Sequence, residues 1–204
     1  MPSELKRYHE SGQTHFITFG CWHRRQNLTD TKAKQIFIAG LERTRRNFQL
    51  RVYGYVIMPD HIHLLVSEPS LKTLADVIKS LKQSVARRFI RDAPHFWQKR
   101  YYDFNIDDHD QFYEKLRYIH RNPVRKELCM RPEDWEWSSF RHYATGCEGP
   151  VEIESEWTTR KREKATQQLS PAILSPRSSK ERLSRPPASL KNKLPQTNPG
   201  MPGM

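Results

Sequence analysis

Residues 52–66 read Val-Tyr-Gly-Tyr-Val-Ile-Met-Pro-Asp-His-Ile-His-Leu-Leu-Val, an almost unbroken apolar run with one turn signal inside it. Each half is too short for a buried helix and rich enough in β-branched and aromatic residues for a buried strand. Pro59-Asp60 supplies the turn, so segments 51–58 and 61–67 form a hairpin. Alternate side chains of a strand share a face, which sends His61 and His63 one way and Ile62, Leu64 and Val66 the other. The bland reading of such a pair is a solvated strand face. The sharper reading, since a strand this apolar has little reason to carry two parallel imidazoles and the turn sets them at a strand end, is half of a divalent-ion site, histidine being the commonest metal ligand.

The surrounding pattern predicts a small α+β domain. His15 to Cys21 alternates as a first strand, and Thr29-Asp30 offers an N-cap for a helix over 31–48 with Phe37, Leu41 and Phe48 on one side. A second helix, about 71–91, places Leu74, Ile78, Leu81, Val85 and Phe89 on one stripe and Lys72, Lys79, Lys82, Arg87, Arg88 and Arg91 outside it. Phe96 to Tyr102 reads as a last strand. The order strand, helix, strand, strand, helix, strand is that of a ferredoxin-like βαββαβ sandwich, with an antiparallel sheet and both helices on one face. Ile62, Leu64 and Val66 are the natural partners of those helices, so the two histidines belong to the open face.

A third helix follows, started by Asp107-Asp108 and stopped at Pro123. Phe112, Leu116 and Ile119 form its apolar stripe, while Tyr118 and Asn122 lie one turn apart on a shared flank. A helical tyrosine is ordinarily an amphipathic edge residue, and an asparagine before proline is ordinarily a helix-end residue. Joined to His61 and His63, however, they complete a set: a phenol, an amide oxygen and two imidazoles. Arg117 and Arg121 lie further round, on the solvent side; these, Arg125 and the exposed Lys and Arg residues of the second helix are candidates for contacts to a nucleic-acid backbone, or else an ordinary solvated helix face. Trp97, Tyr101 and Tyr102 are read first as packing residues and second as stacking surfaces for unpaired bases, and Trp135, Trp137 and Phe140 as packing.

Composition divides the chain. From Thr158 onward there is no aromatic residue, seven of the fourteen prolines fall there, and ten Lys or Arg stand against two acidic residues. Such a stretch buries too little apolar surface to offset its ordering entropy, so residues 158–204 are expected to be a disordered basic tail behind a domain of residues 1–157. The tail carries a net +8 of the formal +12, so the high isoelectric point is mostly its property. A basic tail is either a sequence-independent nucleic-acid tether or a solubilising linker. Cys21, Cys129 and Cys147 lack metal-finger spacing and suit reduced thiols in the cytoplasm. No segment is long and apolar enough to cross a membrane, and no glycine-rich phosphate loop is present.

Four ordered blocks carry a resemblance: Tyr55-Val56-Ile57-Met58-Pro59-Asp60-His61-Ile62-His63-Leu64-Leu65-Val66, Phe96-Trp97-Gln98-Lys99-Arg100-Tyr101-Tyr102, Tyr118-Ile119-His120-Arg121-Asn122-Pro123-Val124 and Trp135-Glu136-Trp137-Ser138-Ser139-Phe140. Over about residues 8–146 the chain resembles the IS200-like tyrosine transposases, single-tyrosine members of the HUH nucleases, and especially their REP-associated branch. The resemblance implies a ferredoxin-like domain that cuts and rejoins single-stranded DNA near hairpins, as a monomer or a homodimer. It implies His61, His63 and Asn122 as metal ligands and Tyr118 as nucleophile. The mobile insertion-sequence branch typically has glutamine four residues after the tyrosine; Asn122 is similar to the REP-associated branch.

The chemistry fits these residue types. A phenol, with a reference pKa near 10, needs activation before it attacks phosphorus. A divalent ion on two imidazoles and an amide oxygen can polarise a phosphate oxygen and stabilise the departing 3′ oxygen. Mixed nitrogen and oxygen ligation suits Mn²⁺, while Mg²⁺ prefers oxygen, so either ion is expected. The reading from another class is a domesticated module that binds hairpin DNA or RNA without cutting it. The intact four-residue set argues against that module. A replication initiator or relaxase is a third, weaker reading.

Overall fold

The computed structural model describes residues 13–89 and 95–173, with side chains described as far as Thr166. Its element order is β1 (Thr14–Gly20), α1 (Thr31–Phe48), β2 (Val52–Ile57), β3 (His61–Ser67), α2 (Leu74–Ala86), β4 (Tyr102–Ile106), α3 (His109–Arg125), α4 (Phe140–Thr145) and α5 (Glu156–Ile173). The four strands form one sheet in the order β2-β3-β1-β4, antiparallel throughout. This is the expected ferredoxin-like α+β sandwich, with α3 added to it.

Strand alternation sorts the core into two layers. Ile17, Phe19, Ile62, Leu64 and Val66 face α1 and α2, where they meet Phe37, Leu41, Val77, Ile78, Leu81 and Val85. Phe16, Val56, Leu65 and Ile106 face the other way and are covered by Leu116 and Ile119 of α3. The face left open by the two-helix pattern is therefore the floor on which α3 lies. Gly54 permits the close approach, because a Cβ there would stand 2.7 Å from a Leu116 methyl. Gly54→Ala is expected to cost about 1–2 kcal/mol of stability through overpacking, read as a lowered melting temperature; an unchanged melting curve would show that α3 has room to spare.

Several boundaries differ from the sequence pattern. Helix α2 begins at Leu74 because the Thr73 side chain accepts the Asp76 backbone N–H, and it ends at Ala86. Phe89, which extends the apolar period, stacks instead on Phe96 with ring centroids 4.9 Å apart. Arg91 lies outside the described residues. The segment 96–101 is a loop rather than a strand: Phe96 and Trp97 are buried in it, and the Trp97 indole donates to the Lys82 carbonyl at 3.0 Å. The last strand starts at Tyr102, and its alternation is masked by buried Asp103. Pro123 lies inside α3, which runs on to Arg125. The missing proline N–H costs one helical bond, but Asn122 and Pro123 are both buried, and packing holds the turn.

Residue 158, where composition sets the start of the tail, falls within helix α5. Helix α5 occupies the stretch up to Ile173, and the rest of the expected tail lies outside the described residues. Its first turns are rich in helix formers and are tied by ion pairs of Arg160 with Glu156 and of Arg162 with Glu152 and Glu154. The three cysteines are free, and among the described residues no helix is long and apolar enough to cross a membrane.

Asp103 explains a buried histidine as well. The His15 ring bonds Asp103 at 2.9 Å and Glu68 at 3.4 Å. Burial alone lowers the pKa of His15, but its hydrogen bonds and charge interactions with Asp103, then Glu68, outweigh this and raise it above 6.5. A raised folded-state pKa stabilises the fold fully below the unfolded value and less as pH rises through the folded one. The stability lost on His15→Gln is therefore expected to be largest near pH 6 and to shrink as the solution is made more alkaline. Melting curves of wild type and variant that run parallel across this range would contradict the assignment.

Candidate functional site

Strand β3 and helix α3 bring together the four side chains singled out from sequence. His61 and His63 are both buried on the α3 side of the sheet, and their Nε2 atoms face each other at 3.1 Å. Asn122 is 3% exposed and places its amide nitrogen 3.1 Å from His63 Nε2. Tyr118 lies half-buried in a T-shaped contact with the His63 ring, with centroids 5.2 Å apart. Arg125 sets its guanidinium 5.6 Å from the centre of the Tyr118 ring, and so helps to orient it.

Neighbouring residues orient each imidazole. Asp60 accepts a 2.5 Å hydrogen bond from His61 Nδ1 and is itself held by Arg24 at 3.3 Å. A carboxylate only accepts, so the His61 proton is on Nδ1 and the Nε2 lone pair points inward. His63 Nδ1 is 2.7 Å from the Thr18 hydroxyl, and its ring is stacked on Phe16 at 5.4 Å. Burial, followed by the like charges of His61 and Arg24, lowers the His63 pKa to about 3. Burial also lowers that of His61, against the opposing pull of Asp60. Both rings are thus neutral and nucleophilic at nitrogen near pH 7.

The donor set suits a cation. Two nitrogens bound to one ion at roughly 2.1 Å stand about 3 Å apart when they meet it at a right angle, close to the 3.1 Å between the two Nε2 atoms. The Asn122 Oδ1 atom is buried without a hydrogen-bond partner, and rotating the amide turns that oxygen toward the imidazoles. Such an orphaned acceptor is costly unless something positive meets it. Among the described residues no group of three or more His, Cys, Asp or Glu side chains could hold a metal. This site would instead consist of two imidazoles and an amide, with the outward imidazole nitrogens fixed by Asp60 and Thr18.

Sequence pattern alone missed the supporting residues. Asp60 was read only as a turn former, although a carboxylate directly before the first histidine was a usable signal. Thr18 and Phe16 were legible only once β1 was paired with β3, which sets Thr18 opposite His63. His120 also went unread: buried, with its pKa lowered to about 4, it bonds Ser139 at 2.9 Å. Ser139 in turn accepts the Tyr55 backbone N–H, which ties α3 to β2. Lys82 is no free cation for DNA, since it donates to the carbonyls of Gln98 and Lys99. Trp135 donates to the Ile57 carbonyl and packs, as expected.

Comparison with known proteins agrees with this architecture. The family model described as "Transposase IS200 like" matches residues 9–122, a span that contains His61, His63, Tyr118 and Asn122. The REP-associated tyrosine transposase of Escherichia coli (strain K12) is 25% identical over 140 residues, which cover 68% of this chain and 82% of that one. Among solved structures, a REP-associated tyrosine transposase bound to a REP hairpin matches with a TM-score of 0.62 and 22% identity, over 75% of this chain and 92% of that one. At that identity the likeness is one of fold.

Proposed function

The chain belongs to the IS200-like transposase family, and from this we propose that it cleaves and rejoins single-stranded DNA beside hairpins through a phosphotyrosine at Tyr118. The observation that carries the reading is the meeting of Tyr118, His61, His63 and Asn122 at one point between β3 and α3. The solved relative bound to a REP hairpin supports a hairpin as the substrate element.

In this mechanism the Tyr118 oxygen attacks phosphorus and the bond from phosphorus to the 3′ oxygen breaks. The phosphate stays on the tyrosine as a 5′-phosphotyrosine, and the phenol proton lost is balanced by the proton gained on the 3′ hydroxyl. The energy of the phosphodiester is retained in the new ester, so a second 3′ hydroxyl can reverse the step on another strand without ATP. His61, His63 and Asn122 would hold a divalent ion, Mg²⁺ or Mn²⁺, which supplies Lewis acidity to the phosphate and the leaving oxygen. Asp60 and Thr18 keep the imidazoles aimed. Packing against Phe16 and His63 confines the Tyr118 ring, which lowers the entropy cost of attack. Residues 1–157 carry this chemistry, and the basic residues beyond them add sequence-independent affinity for the DNA backbone.

The test is a single-stranded oligonucleotide that contains a hairpin and is labelled at its 3′ end. With Mn²⁺ or Mg²⁺ the full chain is expected to acquire a label that survives denaturing electrophoresis, and with a chelator it should not. Retention of the hairpin in a native gel without any denaturant-resistant adduct, under either ion, would replace this reading with that of a binding module.

A further inference from the structure

We infer that Tyr102 is a stacking platform for an unpaired nucleobase close to the reacting phosphate. The inference rests on the single-stranded substrate proposed above. Sheet register places the residue: His63 pairs with Thr18, and Thr18 pairs with Tyr102, so the three stand in one cross-strand row. Two strand spacings put Tyr102 roughly 10 Å from His63 along that row. Strand alternation puts it on the α3 side, with Phe104 and Ile106, the same side as the imidazoles.

Most large rings on this face are covered, but Tyr102 is not. It is 45% exposed, on a strand at the edge of the sheet. Its ring makes a T-shaped contact with Phe16, centroids 6.5 Å apart, and Phe16 in turn touches His63 and Tyr118. A floor of aromatic rings thus runs from the candidate metal ligands to solvent and ends in an open ring. Sheet edges are ordinarily blunted by charge rather than by aromatics, so an open tyrosine here asks for a partner.

A cation stands over two neighbouring rings of the same floor. The Lys115 ammonium lies 5.0 Å from the centre of the Phe104 ring and 6.0 Å from that of Phe16. Only Glu114, on the solvent side, pairs with it among the ion pairs of the described residues. A π face for a base next to a positive charge for the backbone is the combination that unpaired nucleic acid needs. Helix DNA, with its bases already stacked, gains nothing from the ring, so the platform selects for the single-stranded flank of a hairpin.

The test combines protein and DNA changes and is run on the full chain in chelator, so that binding is read without cleavage. Wild type, Tyr102→Phe and Tyr102→Leu are titrated with hairpin oligonucleotides whose flanking nucleotides are made abasic one at a time. In wild type, one abasic position is expected to weaken binding about 5- to 150-fold, the scale of one base–aromatic stack. Tyr102→Leu should lose the same factor on intact DNA and be indifferent to the abasic change at that position. Tyr102→Phe should keep both the affinity and the sensitivity. If Tyr102→Leu binds intact DNA like wild type, or if the two losses multiply, the platform is overturned. Adduct formation with Mn²⁺, read in parallel, separates the two ideas. An adduct without this coupling overturns the platform alone, whereas coupling without an adduct supports the platform and overturns the cleavage reading.

Discussion

Tyr118→Phe is expected to abolish the DNA adduct and strand cleavage, lowering the rate on the order of 10⁴-fold or more, as removal of a nucleophile does. The substitution deletes one oxygen and leaves the ring. Contacts of that ring with His63, Phe16 and the Arg125 guanidinium are made by carbon atoms and should persist. Melting temperature and hairpin affinity are therefore expected to stay at wild-type levels while chemistry disappears. A variant that still forms the adduct would move the nucleophile elsewhere. A variant that loses hairpin affinity as well would make Tyr118 a binding residue first.

Replacing His63 by glutamine is expected to lower cleavage about 10³-fold, since a bound metal contributes several kcal/mol to a transition state of this kind. Glutamine keeps a polar, similarly sized side chain next to Thr18 and Asn122, so the main loss is the Nε2 lone pair that faces His61 at 3.1 Å. Calorimetric titration with Mn²⁺ should show binding in wild type and none in the variant at the same concentrations. Asp60→Asn should be milder, about 10- to 100-fold in metal affinity, because it alters the partner that fixes the His61 ring and not a ligand. Equal Mn²⁺ affinity in wild type and His63→Gln would remove the metal from this site.

Much of the fold was legible because most of the core lies on periodic strands and helices. Alternation in residues 52–66 fixed the hairpin and the face of each histidine, and the apolar steps from Leu74 to Val85 fixed the body of α2. What misled were residues whose apolar character serves something other than regular structure. Phe96 and Trp97 plug a loop and so imitated a strand. Asp103 sits buried within a true strand because His15 neutralises it, and so concealed that strand. Pro123 was read as a stop, but the buried turn around it keeps its helical form.

The site divides in the same way. Histidines two apart on a strand and polar residues four apart on a helix are set by local periodicity, so His61, His63, Tyr118 and Asn122 could be singled out from spacing. Their supports come from elsewhere in the chain. Thr18 reaches His63 across a strand pairing of 45 residues' separation, and Ser139 reaches His120 from beyond α3. Long-range pairings of this kind have no spacing rule, and only the folded sheet reveals them.

The most direct measurement is the identity of the residue that carries the DNA. Full-length protein is allowed to react with a hairpin oligonucleotide and Mn²⁺, digested with nuclease and protease, and sequenced by tandem mass spectrometry. The account predicts a nucleotide remnant linked through its 5′ phosphate to Tyr118. A remnant on any other residue, or a linkage through a 3′ phosphate, would contradict it.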